Sequence, residues 1–148
     1  MEIRSMCAQD YDGVYALWLR IKGFAIRSID DSENNITRFL ERNPGMSHVA
    51  LEDGKVVGAI LCGHDGRVGC LYHVCVDPQY RKRGIGTALT AATSEALKRE
   101  GINKVQLVAF SSNMTGNAFW KKLGWTMRRD INSYEMSLND QNTISIVE

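Results

Sequence analysis

The sequence predicts a mixed α/β domain with a mostly antiparallel central sheet, flanking helices and one βαβ crossover. Two early segments place apolar residues at helical spacing, and three β-rich runs joined by Asp-Gly pairs follow them. A strand, helix and strand pattern comes next. The chain has 148 residues, the size of one domain with one core, so we expect a single domain over 1–148 with a less ordered tail at 139–148.

Composition narrows the class of protein. A hydrophobic content of 44% is typical of a globular protein. The net charge of +1 is too small to produce an electrostatic field that would attract nucleic acid or a membrane. The start lacks a signal-like apolar region, and the four cysteines form no CxxC pair. Free thiols favour a reducing compartment, so we expect a cytoplasmic protein. The three histidines have no metal-ligand spacing, and no metal is expected.

The first segments predict a short strand and two helices. "MEIRSM" is the candidate first strand, and the helix after it carries its apolar face at Val14, Leu17, Trp18 and Ile21. The second helix starts from an N-cap in "DDS" at 30–32, carries Ile36, Phe39 and Leu40 on one face, and stops at "NPG". The linker "GFAIRSIDD" is expected to be an exposed loop or a broken helix.

The middle of the chain predicts a meander that leads into a crossover. Asp53-Gly54 and Asp65-Gly66 separate three β-rich runs, and this pair favours type I′ hairpin turns. A helix after Gly84 and a buried strand "NKVQLVAF" complete a βαβ unit with parallel strands. "TGNAFWKKLG" is predicted as a helix, and "WTMRR" with "SYEMSL" as a closing antiparallel pair.

A basic turn precedes the crossover helix. Arg81, Lys82 and Arg83 stand directly before Gly84 and Gly86, where unpaired helix N–H groups and the helix dipole attract anions. Glycines allow a ligand to approach the backbone closely, so the turn is a candidate pyrophosphate site. A solvated charged turn remains the plain alternative. A nicotinamide site fits less well, because an antiparallel meander precedes the turn and no third glycine follows.

The segment "VCVDPQYRKRGIGTALTAA" closely resembles motif A of the GNAT superfamily of acetyl-CoA-dependent N-acetyltransferases. Arg81, Gly84 and Gly86 fill its signature, and the order of elements around it agrees over nearly the whole chain. The longer segment from Gly63 is also similar to small bacterial members of the YpeA type. The resemblance implies a GNAT-like fold and acetyl-CoA as cosubstrate.

The resemblance also implies positions for the cosubstrate. The strand before the turn would bulge and offer its backbone to the pantetheine arm at Val74, Cys75 and Val76. Backbone N–H groups of the turn and the helix start would hold the pyrophosphate, at Lys82, Arg83, Gly84, Ile85, Gly86 and Thr87. Asn113 opens the second signature of the family. The acceptor site would be built from the first two helices, their loop and the closing strands.

Catalytic positions depart from the family pattern. Trp120 stands where many members carry a tyrosine acid, and Val108 and Cys70 stand where members carry a glutamate base. Tyr72 shares a strand face with Cys70 and is the first candidate for a polar group at the reacting centre, with a packed core tyrosine as the alternative. A cysteine nucleophile beside His73 is disfavoured, because the sequence identifies no third residue to orient the pair.

The sequence therefore predicts an acyltransferase that moves acetyl from acetyl-CoA to a primary amine by direct attack in a ternary complex. The acceptor would be a small-molecule or protein amine, and a homodimer remains open. A non-catalytic acyl-CoA-binding or sensing module on the same fold is the first alternative. A nucleotide-binding domain with another phosphate ligand is the second.

Overall fold

A computed structural model describes residues 1–148. Its helices and strands occur in the order β1 (Glu2–Ser5), α1 (Tyr11–Leu19), β2 (Ala25–Arg27), α2 (Glu33–Arg42), β3 (His48–Glu52), β4 (Lys55–His64), β5 (Gly69–Val76), α3 (Ile85–Arg99), β6 (Val105–Gln106), α4 (Met114–Lys122) and β7 (Ile144–Ile146). The chain divides into two compact units, one of Met1–Leu107 with Gln141–Glu148 and one of Val108–Asp140. Whether they form a single domain stays a prediction.

The central sheet has five strands in the order β1-β3-β4-β5-β6. The first four are antiparallel neighbours, and β6 pairs with β5 in parallel across the α3 crossover. β2 and β7 form a separate antiparallel pair. This arrangement confirms the predicted fold class, a mostly antiparallel sheet with flanking helices and one βαβ crossover.

Helices cover both faces of the sheet. Side chains of α1 and α2, among them Trp18 and Ile36, pack with Val49 and Ala59 in the main hydrophobic core. α3 lies on the opposite face, where Ile85 and Leu89 approach the backbone of β4. The two predicted helical faces near the start of the chain are thus confirmed as core-forming. Ser32 is the N-cap of α2 and accepts from Asn35 N at 3.3 Å.

The two Asp-Gly turns differ from each other. Asp53 and Gly54 both have positive φ, 48° and 78°, which agrees with the type I′ turn that the sequence predicts. In the second turn only Gly66 has positive φ, and Asp65 accepts from Arg67 N and Val68 N at 2.8 Å each. That turn is longer because the aspartate side chain, rather than a two-residue hairpin, organises its backbone.

Several predicted strands are wrong in extent. "NKVQLVAF" pairs only at Val105–Gln106, and Val108 is 87% exposed. "WTMRR" and "SYEMSL" form no ladder, and Arg128 instead makes a local bidentate contact with Asp130 at 2.7 and 2.9 Å. The linker expected to be a loop contains β2, which pairs with β7 in the tail. Strand propensity without a defined partner does not decide pairing, which explains these differences.

Candidate active site

A β-bulge interrupts the pairing of β4 and β5. Ala59 lies opposite Cys75 and Leu61 lies opposite Tyr72, so Ile60 faces the two residues between them. One of these is His73, whose φ is 50°. The bulge breaks the alternation of side chains along the strand. Tyr72 and His73 therefore both lie on the face covered by α1 and α2.

The outer edge of β5 is unpaired beyond the bulge. β6 pairs only with the first two residues of β5, Gly69 and Cys70. Asp77 donates to Val57 O at 2.8 Å and therefore turns toward β4, so the preceding Val76 turns its polar groups outward. No strand pairs with this edge, which could pair with an extended ligand.

The turn after β5 carries a run of free backbone donors. Lys82 and Gly84 have positive φ, 64° and 80°, and α3 begins directly after Gly84 without a side-chain cap. The first bonded N–H of the helix belongs to Ala88, which donates to Gly84 O at 3.0 Å. The N–H groups of residues 84–87 have no protein acceptor. Such a concave run at a helix N-terminus attracts anions.

The basic side chains of the turn are exposed at its rim. Arg81 Nε donates to Val76 O at 3.2 Å, and the Arg83 guanidinium lies 5.0 Å from the Tyr80 ring centroid. The turn is anchored from inside by Asp77, which accepts from Gln79 N at 3.0 Å and from Arg20 Nε at 2.9 Å. Burial opposes ionisation of Asp77, but these two donors hold its pKa below the usual range.

Tyr72 lies at the mouth of the bulge rather than in the core. Its side chain is 47% exposed, and its ring packs edge-on to Phe39 at a centroid distance of 5.9 Å. A hydrogen bond with the Cys70 thiol and partial burial raise the pKa of Tyr72 to about 12. A phenol with a raised pKa gives up its proton less readily, so Tyr72 is better suited to hydrogen bonding than to acid catalysis.

Sequence reasoning missed the partner of His73. His73 Nε2 lies 2.9 Å from Asp31 Oδ1, and the two residues are 42 positions apart in the chain. Asp31 is predicted only as a helix cap, whereas Ser32 takes that role. The sequence places a histidine next to the expected bulge, which could have marked it as a candidate. Nothing in the sequence indicates that this histidine contacts Asp31.

Asn113 and Trp120 belong to the second unit and are described within it. Asn113 is the N-cap of α4 and accepts from Gly116 N at 3.0 Å. Trp120 is half-buried on α4 and packs against Phe119 and Trp125 at centroid distances of 4.9 and 4.8 Å. Its indole thus contributes to a small aromatic cluster.

The cysteines near the bulge are poorly placed for nucleophilic chemistry. Cys75 is buried, and burial raises its pKa to about 12. Burial also raises the pKa of Cys62 to about 12. Because the thiolate is the reactive form, neither residue is an activated nucleophile. The chain contains no group of three or more His, Cys, Asp or Glu side chains arranged to hold a metal ion, and no helix long and apolar enough to cross a membrane.

Comparison with known proteins identifies the family. The model of the acetyltransferase (GNAT) family matches residues 11–125. Acetyltransferase SG1711 of Sodalis glossinidius is 34% identical over 131 residues, which cover 88% of this chain and 91% of that protein. Acetyltransferase ECA0875 of Pectobacterium atrosepticum is 33% identical over 123 residues, 83% of this chain and 86% of that protein.

Solved structures agree on the fold. The crystal structure of the PaiA N-acetyltransferase from Thermoplasma acidophilum in complex with coenzyme A matches with a TM-score of 0.74 and 17% identity, over 97% of this chain and 95% of that one. The fold and the similarities together define an acyltransferase. The chain belongs to the GNAT family of acetyltransferases, which confirms the family and the enzyme class that the sequence predicts.

Proposed function

We propose that this chain transfers acetyl from acetyl-CoA to a primary amine by direct attack in a ternary complex. The observation that carries this proposal is the run of free N–H groups at residues 84–87, in the turn and helix start that follow the unpaired edge of β5. Those donors suit the pyrophosphate of coenzyme A, and Arg81 and Arg83 add cationic charge at the rim. Coenzyme A bound to a structural neighbour of the same fold supports this choice of ligand.

The acyl arm would lie along β5. An extended pantetheine chain pairs with exposed strand backbone much as a peptide strand does. Val74 lies in the bulge, and Cys75 and Val76 follow it on the edge of β5 that β6 leaves unpaired. A backbone N–H at this bulge would stabilise the oxyanion that forms on the thioester carbonyl. Thr87 and Ile85 would contribute backbone donors at the other end of the cosubstrate.

The leaving group needs little help in this reaction. A thiol has a pKa near 8.5, so a coenzyme A thiolate leaves at neutral pH with only modest protonation. That makes the substitution of tryptophan at position 120 tolerable. We assign Tyr72 the role of hydrogen-bonding the sulfur or a water near it. The free thiols of the chain suit the cytoplasm, where we place the enzyme.

The test follows thiol release from acetyl-CoA across spermidine, kanamycin, free amino acids and a lysine-containing peptide. Turnover with at least one amine supports the proposal. Binding of acetyl-CoA without turnover of any amine would instead identify the rival function, an acyl-CoA-binding module, which the missing tyrosine at position 120 favours. Failure of acetyl-CoA to bind at all contradicts both functions.

Charge reversal tests the anion site. We expect Arg81→Glu, Arg83→Glu and Gly86→Val each to weaken acetyl-CoA binding at least tenfold in calorimetry, and added salt to weaken binding by the parent protein. Lys98→Glu is the matched control, because Lys98 lies in the last turn of α3 with its side chain 71% exposed. Equal weakening by Lys98→Glu would mean that net charge rather than the turn attracts the ligand.

A further inference from the structure

His73 and Asp31 form an ion-pair contact on the face of the sheet that α1 and α2 cover. Nε2 of His73 lies 2.9 Å from Oδ1 of Asp31. A carboxylate only accepts hydrogen bonds, so Nε2 carries the proton and Nδ1 of the neutral ring is the unprotonated nitrogen. Nδ1 has no protein hydrogen-bond partner. The imidazole therefore offers a free lone pair while its other nitrogen is held.

Contacts other than the one to His73 hold Asp31 in position. Its side chain is 5% exposed, and its second oxygen, Oδ2, accepts from Arg27 N at 2.7 Å. Its backbone carbonyl accepts from the Tyr11 hydroxyl at 2.7 Å. These contacts come from the end of β2 and from α1, so two elements set the position of Asp31. Asp31 in turn determines the ring orientation and tautomer of His73.

Aromatic rings surround the imidazole without covering it. The centroids of Trp18 and Phe24 lie 4.9 and 4.8 Å from that of His73. The His73 side chain is 22% exposed, so a small molecule can reach it. The buried Trp18 Nε1 has no hydrogen-bond partner, which leaves a second free polar group in the same aromatic cluster.

The other two histidines lack this arrangement. His48 is buried, its Nδ1 lies 3.1 Å from Met46 O and 3.2 Å from the Thr93 hydroxyl, and burial lowers its pKa. His64 Nδ1 accepts from Gly66 N at 3.0 Å and organises a turn. Only His73 combines a carboxylate partner, a free nitrogen and a position in the bulge.

We propose that His73 is the catalytic base of acetyl transfer and that Asp31 is its positioning residue, an inference that rests on the function proposed above. His73 directly precedes Val74, whose backbone we assign to the acyl arm, so its ring belongs to the same bulge that would hold the thioester. Most primary amines are protonated at neutral pH and cannot attack until they lose a proton. A base at this position removes that proton from the amine.

The proposed sequence conserves protons and electrons. The acceptor ammonium gives one proton to Nδ1 of His73, and the freed lone pair forms the C–N bond at the thioester carbonyl. The carbonyl electrons move to oxygen and return as the C–S bond breaks, with its electron pair leaving on the coenzyme A sulfur. The amide nitrogen loses its second proton to that thiolate, and His73 returns its proton to water.

Few other ionisable groups face His73. Asp31 contacts it from the loop before α2, and Tyr11 of α1 lies behind Asp31 with its pKa raised to about 12, mainly by burial. Trp18 and Phe24 are uncharged. On β5 itself, burial keeps the Cys75 thiol neutral. Asp31 is therefore the one carboxylate in contact with His73.

The test compares His73→Asn with the parent enzyme, using the best amine found in the panel. Asparagine tolerates the positive φ of this position, so the variant keeps the bulge, and His73→Gln is the second variant. We expect kcat/KM at pH 7 to fall about a hundredfold or more. The deficit should shrink toward pH 10, because the amine then arrives already neutral. Acetyl-CoA affinity in calorimetry should stay within about twofold.

Asp31→Asn tests the positioning residue, with Asp53→Asn as the matched control on an exposed aspartate in the turn between β3 and β4. We expect Asp31→Asn to lower kcat about tenfold with little change in KM, and to remove the Nε2–H tautomer preference in ¹⁵N spectra of the histidine ring. Asp53→Asn should behave like the parent enzyme in both measurements.

Three outcomes overturn the assignment. A deficit of His73→Asn that is constant from pH 6 to pH 10 would assign His73 a structural role, and full activity of the variant would assign it none. Both leave the proposed function intact. If no amine is acetylated by the parent enzyme while acetyl-CoA binds, the proposed function fails, and the catalytic role of His73 fails with it.

Discussion

Gly58 on β4 packs closely against the start of α3, next to the proposed anion site. A Cβ at this position would lie 3.0 Å from Ile85 Cγ2, 3.0 Å from Leu89 Cδ1 and 3.4 Å from Ala50 Cβ. Ile85 is the first residue of α3, so Gly58→Ala would push the start of the helix away from the sheet. The backbone donors proposed to bind pyrophosphate lie in that same turn.

The expected loss of stability follows from two opposing effects. Overpacking a core lowers the free energy of unfolding by about 1–3 kcal/mol. Replacing glycine by alanine offsets about 0.4–1 kcal/mol of this loss, because alanine reduces the conformational entropy of the unfolded chain. The free energy of unfolding should therefore fall by roughly 0.5–2 kcal/mol. For a chain of this length each kcal/mol lowers Tm by about 3 °C, so thermal unfolding should show a decrease of about 2–6 °C.

Gly69→Ala provides the matched control for ligand binding. A Cβ at Gly69 would lie 2.8 Å from Leu97 Cδ1, which belongs to the same helix near its other end. We expect a similar or smaller loss of Tm, since the flexible end of a leucine can move. Calorimetry should show acetyl-CoA binding weakened about fivefold in Gly58→Ala and unchanged in Gly69→Ala. Normal binding by a destabilised Gly58→Ala, or equal weakening in both variants, would refute the reasoning.

Two further predictions concern an ion pair and the aromatic residues near the proposed chemistry. Arg4 donates to both carboxylate oxygens of Asp10 at 2.8 Å and holds the pKa of Asp10 below its usual range. This stabilisation is present above the unfolded pKa near 4 and is lost as pH falls through the folded pKa. Asp10→Asn should therefore lower the free energy of unfolding by about 1–3 kcal/mol at pH 7. Denaturant titrations should show that the difference from the parent protein shrinks in acid. Steady-state kinetics should show Trp120→Phe retaining most of kcat, while Tyr72→Phe loses up to about a hundredfold because it deletes a hydroxyl beside the bulge; the reverse order would contradict the assigned roles.

Local patterns in the sequence were enough for much of the fold. The apolar spacing of Val14, Leu17 and Trp18 predicted α1, and the Asp53-Gly54 pair predicted a type I′ turn, because both signals depend only on near neighbours in the chain. The basic turn before Gly84 was visible for the same reason. Its glycine conformation, its charge and the following helix N-terminus all lie within one short segment.

Contacts between segments that are distant in the chain are visible only in the tertiary structure. The extent of β6 and the pairing of β2 with β7 depend on which backbone edges are available, and strand propensity does not contain that information. The bulge in β5 turns His73 toward Asp31, and burial within a cluster from three elements fixes the carboxylate there. The sequence by itself determined the family and the candidate cosubstrate site, whereas the candidate base emerged only from folding, because a hydrogen bond between residues 42 positions apart leaves no local pattern in the chain.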